Sequence, residues 1–129
     1  YKITLDDKEK TLKIMIVKIL EKEQFNTSSI DELLIKCNIK DFKLLLKIIK
    51  LCESEKLLIR INQGIFITNK NILLLKTKLQ NFFKNNQSLK VSDLKDLIGV
   101  SRKYAIPILE YLDKIQFTYR DGNERKLVS

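Results

Sequence analysis

The chain has no His and no Trp, three Gly, one Pro and two Cys in 129 residues. Each scarcity excludes something. Without His, the commonest general base and the commonest zinc ligand are missing. So little Gly and Pro excludes collagen-like and Gly/Pro-rich disordered chains. Cys37 and Cys52 form no CxxC pair, and without His they make no familiar zinc site. Both fall in apolar-periodic stretches, where buried free thiols of a reducing compartment are expected. No apolar run approaches the roughly 20 residues of a membrane span, so no membrane partner is expected. The opening, Tyr1-Lys2-Ile3-Thr4-Leu5, has neither Met nor signal-peptide architecture. The expectation is a piece of a longer, cytoplasmic protein. No nucleophile–base pair, metal-ligand set or phosphate loop stands out. Asp93, Asp96, Glu110 and Asp113 read as helix caps and exposed faces, so the chain itself is expected to be no enzyme and to hold no cofactor.

What is present is charge and periodicity. Apolar residues make up 44% and charged residues 32%, and 25 Lys and Arg against 16 Asp and Glu give a net charge of +9. That surplus favours an anionic partner. It is uneven: residues 1–68 hold 13 basic and 10 acidic side chains, residues 69–129 hold 12 and 6. The second half carries the stronger field.

The pattern occurs twice. Leu12, Met15, Ile16, Ile19 and Leu20 give one apolar face of a helix over about 6–23, with Asp6 and Asp7 at its start. Ser28 or Ser29 can cap a short second helix. A third helix begins near Lys40, with Phe42, Leu45, Ile48, Ile49 and Cys52 inward. Two β-branched runs around Asn62-Gln63-Gly64 then read as a hairpin. In the second half, Ile72, Leu75, Leu79, Phe82 and Phe83 make a stripe, and Ser92 caps a short helix that stops at Gly99. A third helix runs from Ser101 to about Gln116, with a bend expected at Pro107. Asp121-Gly122 marks a second hairpin turn.

The halves align at a shift of 60–61 residues, with Leu45, Ile48 and Leu51 matched to Ile106, Leu109 and Leu112. Helix–helix–helix–hairpin is the winged-helix order. The expected fold is mainly α with small β-hairpins (α+β): two tandem winged-helix domains, 1–68 and 69–129.

The first turn of the third helix is where a helix-turn-helix meets its target. In the second half that turn is Ser101-Arg102-Lys103-Tyr104. Helix N–H groups and Arg suit phosphate, Lys adds charge, and Tyr can stack on an unpaired base. The hairpin adds Arg120, Arg125 and Lys126, with Tyr119 beside them. In the first half the matching residues are Lys40-Asp41-Phe42-Lys43. This reading sets the acid Asp41 where Arg102 stands, and the hairpin there is nearly uncharged. The alternative is that Arg102 and Lys103 form an ordinary solvated turn.

The run Val100-Ser101-Arg102-Lys103-Tyr104-Ala105-Ile106-Pro107-Ile108-Leu109-Glu110-Tyr111-Leu112-Asp113 resembles the last winged-helix module of SelB, the bacterial selenocysteine-specific elongation factor family. The likeness extends over about residues 88–128, upstream through Asp93–Gly99 and downstream through Thr118–Arg125. Residues 1–68 match only as a preceding winged helix would. The resemblance implies an RNA-binding end of a translational GTPase. Its partner would be the selenocysteine insertion (SECIS) hairpin of the message, met by Ser101, Arg102, Lys103 and Tyr104, with Arg120, Arg125 and Lys126 from the wing. It implies ribosome and selenocysteinyl-tRNA as partners of the parent protein, GTP and Mg held by its N-terminal part, and a monomeric chain. Where the family has Arg-Arg and Gly-Asp in the wing, this chain has Tyr119-Arg120 and Gly122-Asn123. The alternative function is a tandem winged-helix DNA-binding transcriptional regulator, reading a major groove as a dimer.

Overall fold

A computed structural model describes residues 6–128. The opening residues 1–5 and residue 129, the outer ends of the two expected domains, lie outside the described residues. Within them the fold is mainly helical, with two small antiparallel hairpins. The chain divides into two compact units between Lys70 and Asn71.

In the first unit, α1 (Asp7–Glu23), α2 (Ile30–Lys36) and α3 (Phe42–Ser54) precede β1 (Leu58–Asn62) and β2 (Ile65–Thr68). The capping residues explain the starts. Asp6 Oδ1 accepts the Glu9 N–H at 2.7 Å, and the Glu9 carboxylate accepts the Asp6 N–H. Ser29 and Glu32 make the same reciprocal pair at α2. The core joins Leu12, Ile16 and Leu20 of α1, Leu33 of α2, Leu45, Ile48, Ile49 and Cys52 of α3, and Leu58 and Phe66 of the hairpin. Met15 lies outside the expected stripe and is exposed. Phe42 also departs from the expectation. It is the first helical residue after the cap, beyond the reach of the core, and is 47% exposed.

The second unit takes most of α4 (Asn69–Phe83), then α5 (Val91–Ile98), α6 (Arg102–Lys114), β3 (Thr118–Asp121) and β4 (Glu124–Leu127). No loop separates β2 from α4: Asn69-Lys70-Asn71, the expected join, forms the helix's first turn. The α5 start differs from the expectation. Ser92 is inside the helix, and the cap is made at Lys90, whose backbone N–H donates to Asp93 Oδ2 at 2.9 Å. Gly99 ends α5 at φ +65°, the left-handed position a side chain resists. Asn38 takes that role in the first unit, at φ +54°. α6 runs on through Pro107 to Lys114, with Ala105, Ile108, Leu109 and Leu112 buried. Gly122, at φ +64°, supplies the conformation that a two-residue hairpin loop needs. Leu89 and Arg125 exchange both backbone hydrogen bonds at 2.8 Å, tying β4 to the segment before α5.

The structure corrects the register between the two halves. Caps and core give Asp41 matching Ser101, Leu45 matching Ala105, Ile48 matching Ile108 and Cys52 matching Leu112. The shift is 61 residues up to Ile39 and Val100, and 60 from the third helix onward. Lys40 is an extra residue in the first unit's turn. Asp41 therefore corresponds to Ser101, and Phe42 stands where Arg102 stands.

Candidate nucleic-acid interface

Helix periodicity places Arg102, Ile106 and Glu110 on one face of α6, at steps of four. That face lines a concavity of about 740 Å³, closed by Lys90 and Ser92 at the α5 start and by Arg120, Asn123 and Arg125 of the hairpin. Ile106 and Val91 supply apolar floor, and Arg102 and Arg120 are exposed cations on its wall. Glu110 and Glu124 are the acids of a lining that holds four cations, and Glu124 lies 3.9 Å from the Lys90 ammonium. Lys90, Ser92, Glu110 and Asn123 were not foreseen as site residues. The step of four from Arg102 to Glu110 is the signal that could have found Glu110.

The expected site residues divide into groups. Ser101 occupies the N-cap position of α6 and is exposed, with no side-chain cap bond. Lys103 and Tyr104 stand beside Arg102 on the next face, the Lys103 ammonium 5.5 Å from the Tyr104 ring centroid. Arg120 Nε donates to Gly122 O at 2.9 Å, which sets the side chain across the turn.

Arg125 is a correction. It is 6% exposed, and its Nε donates to Asp113 Oδ2 at 3.2 Å, while Thr118 Oγ1 donates to Asp113 Oδ1 at 2.7 Å. Strand alternation turns it under the hairpin, where a buried guanidinium needs an acid. It braces the concavity from within rather than projecting from it.

Lys126 is separated from the cluster as well. It pairs across the hairpin with Tyr119, one step from the Arg120–Arg125 pair, so both project to the opposite face. There Asp121, 2.9 Å away, raises the Lys126 ammonium above its ordinary range through its hydrogen bond and charge.

The first unit offers a different surface at the equivalent place. Phe42 replaces Arg102, and Arg60, at the Arg120 position, turns two N–H groups onto Glu53 Oε1 at 2.8 and 3.2 Å and lies 4.9 Å over the Phe66 ring. Among the described residues no group of three or more His, Cys, Asp or Glu is placed to hold a metal ion. Among the described residues no helix is long and apolar enough to cross a membrane.

One comparison with known proteins, a family model, falls on this same region. The family model described as elongation factor SelB, winged helix, matches residues 81–127. The selenocysteine-specific elongation factor of Desulfomicrobium baculatum is 33% identical over 78 residues, 60% of this chain and 12% of that protein. Its Escherichia coli (strain K12) counterpart is 56% identical over 36 residues, 28% of this chain and 6% of that protein. The chain thus spans a small part of the length of these relatives. Among solved structures, the mRNA-binding domain of SelB from E. coli, in complex with SECIS RNA, superposes with a TM-score of 0.83 at 22% identity, covering 97% of this chain and all of that one. A bacterial selenocysteine-specific elongation factor, EF-Sec, superposes at 0.70 with 27% identity, over the whole of this chain and 22% of that one.

Proposed function

We propose, on the premise that residues 81–127 belong to the SelB elongation-factor family, that this chain is the message-binding end of a selenocysteine-specific elongation factor. One observation carries the proposal. The segment that matches the family is the one that assembles a basic concavity at the start of its third helix.

In this reading the chain is two tandem winged-helix domains, and the second reads a SECIS-type RNA hairpin. Ser101 and the first N–H groups of α6 receive a backbone phosphate. Arg102 and Arg120 grip phosphate or base edges from the two walls of the concavity. Lys103 adds charge, and Tyr104 offers a ring to an unstacked base, since folded RNA is read best where bases are unpaired. Arg125 acts through position, holding the hairpin wall against α6 by way of Asp113. The parent protein supplies the rest: a GTPase part with GTP and Mg, and contacts to ribosome and selenocysteinyl-tRNA in the cytoplasm, with this end working as a monomer.

Fluorescence anisotropy with bacterial SECIS hairpins tests the reading, against a scrambled hairpin and duplex DNA at two salt concentrations. One hairpin is expected to bind above both controls. With about four to six phosphates neutralised, affinity falls steeply as salt rises. Arg102→Ala costs about 1–3 kcal/mol of binding. A preference for duplex DNA would overturn the proposal in favour of a transcriptional regulator.

A further inference from the structure

The hairpin of the second unit has two faces, and the concavity around Arg102 uses one of them. Tyr119 faces Lys126 across the ladder, and Arg120 faces Arg125 one step on. Successive pairs point to opposite sides of a sheet. On the side away from Arg120, the hairpin and the segment after α4 enclose a second concavity of about 480 Å³, bordered by Tyr119, Lys126, Lys84, Asn85, Asn86 and Gln87.

Its chemistry differs from that of the first. Tyr119 is 49% exposed, a large ring held by a strand with little burial to explain it. Three consecutive amides lie beside it. Asn86 is fixed by donating its Nδ2–H to Phe82 O at 2.9 Å. Amides present donors and acceptors together, which suits base edges and gives phosphate no special preference. Lys126 is occupied by Asp121 at 2.9 Å. Lys84 is exposed and in no ion pair among the described residues, and supplies one cation for a backbone. A ring, several amides and a single unengaged cation make a poor duplex clamp. They make a good shelf for a short single strand, where stacking and edge contacts replace dense charge.

We propose that this opposite face of the hairpin is a second RNA subsite, taking a single-stranded segment that flanks the hairpin. The proposal rests on the RNA-binding reading above and adds a separate ligand segment on a separate surface. The Arg102 side holds the folded hairpin, and the Tyr119 side holds the strand that leaves its stem.

The test compares a bare SECIS hairpin with hairpins extended by eight uridines at the 5′ or the 3′ end, bound to the whole chain. One extension is expected to tighten binding about 5–20-fold, the gain that one or two stacked bases supply. Tyr119→Ala should abolish that gain and leave the bare hairpin within twofold. Tyr119→Phe, which keeps the ring, should retain it. Arg102→Ala should weaken bare and extended hairpins by the same factor. No gain from either extension, or a gain that survives Tyr119→Ala, overturns the subsite. Should the bare hairpin itself fail to bind, the message-binding reading falls, and octauridine alone then decides the shelf. Binding lost in Tyr119→Ala supports it, and absence of binding overturns it.

Discussion

The two units use one acidic position at the end of the third helix in opposite ways. In the first, Glu53 engages Arg60 of the leading strand, and Phe66 fills the space under the hairpin. In the second, the matching Asp113 is taken by Thr118 and by Arg125 of the returning strand. That exchange leaves the leading strand's Arg120 in no ion pair among the described residues, on the wall of the α6 concavity. The same exchange puts a charge where the first unit has an aromatic ring. An exposed Arg on the concavity wall is gained by giving up part of an apolar core. The comparison teaches that a difference in surface between similar units need not originate in the exposed residues. Here it lies one layer deeper, in which strand the acid holds.

This comparison can be broken by substitution. The largest effect is expected from Asp113→Asn, which strands the buried Arg125 guanidinium and costs about 2–4 kcal/mol. Glu53→Gln removes a half-exposed pair and should cost under about 1 kcal/mol. Hydrogen exchange of the whole chain reads each unit separately, and equal losses would refute the asymmetry. Next comes Glu23 of the first unit. Burial raises its carboxyl, but the Lys36 ammonium and the Ser28 hydroxyl and N–H outweigh burial and hold it below the usual carboxylate range. A depressed folded pKa gives stability that is full above the ordinary carboxylate value, about 4.3. It is lost as pH falls through the folded value. Glu23→Gln should therefore destabilise the first unit by about 1–2 kcal/mol at pH 7 and by little at pH 2–3. Denaturant titrations at the two pH values check the sign. Smaller still, Gly99→Ala should cost about 1 kcal/mol, because φ +65° disfavours a side chain, whereas Asn38→Gly should be neutral or slightly stabilising. The smallest effect sharpens the contact comparison. Phe42→Arg should leave hairpin affinity within twofold, although it installs at the equivalent place the residue type proposed to grip RNA in the second unit.

Much of the fold was readable in the sequence, because its signals were local. Asp6, Ser29 and Gly99 announce helix ends, and Gly122 announces a turn. The apolar steps of α3 and α6 announce which faces are buried. What escaped was phase. Leu44, Leu45 and Leu46 are consecutive, so an apolar pattern fits them at either of two registers, and the extra Lys40 before the cap leaves no mark of its own. The site was half readable. Arg102 and Arg120 follow from the helix start and the wing. The burial of Arg125 depends on Asp113, twelve residues away, and strand alternation alone does not say which face of a short polar hairpin meets the core. Met15 and Phe42 were misplaced because an apolar side chain at the edge of a stripe reads the same whether it is covered or not.

The buried Cys52 and the half-buried Cys37, the latter less covered than the sequence leads one to expect, have a consequence for how steady such a surface is. Cys52 is fully covered and pushed up to about 11, chiefly by burial, and burial raises Cys37 as well. The chain has no imidazole. Between about pH 5 and 8, then, no side chain in its ordinary range changes charge. The attraction offered to an anionic strand is a constant of the molecule across everyday acidity, and the surrounding ions are left as the one setting by which solution conditions tune it.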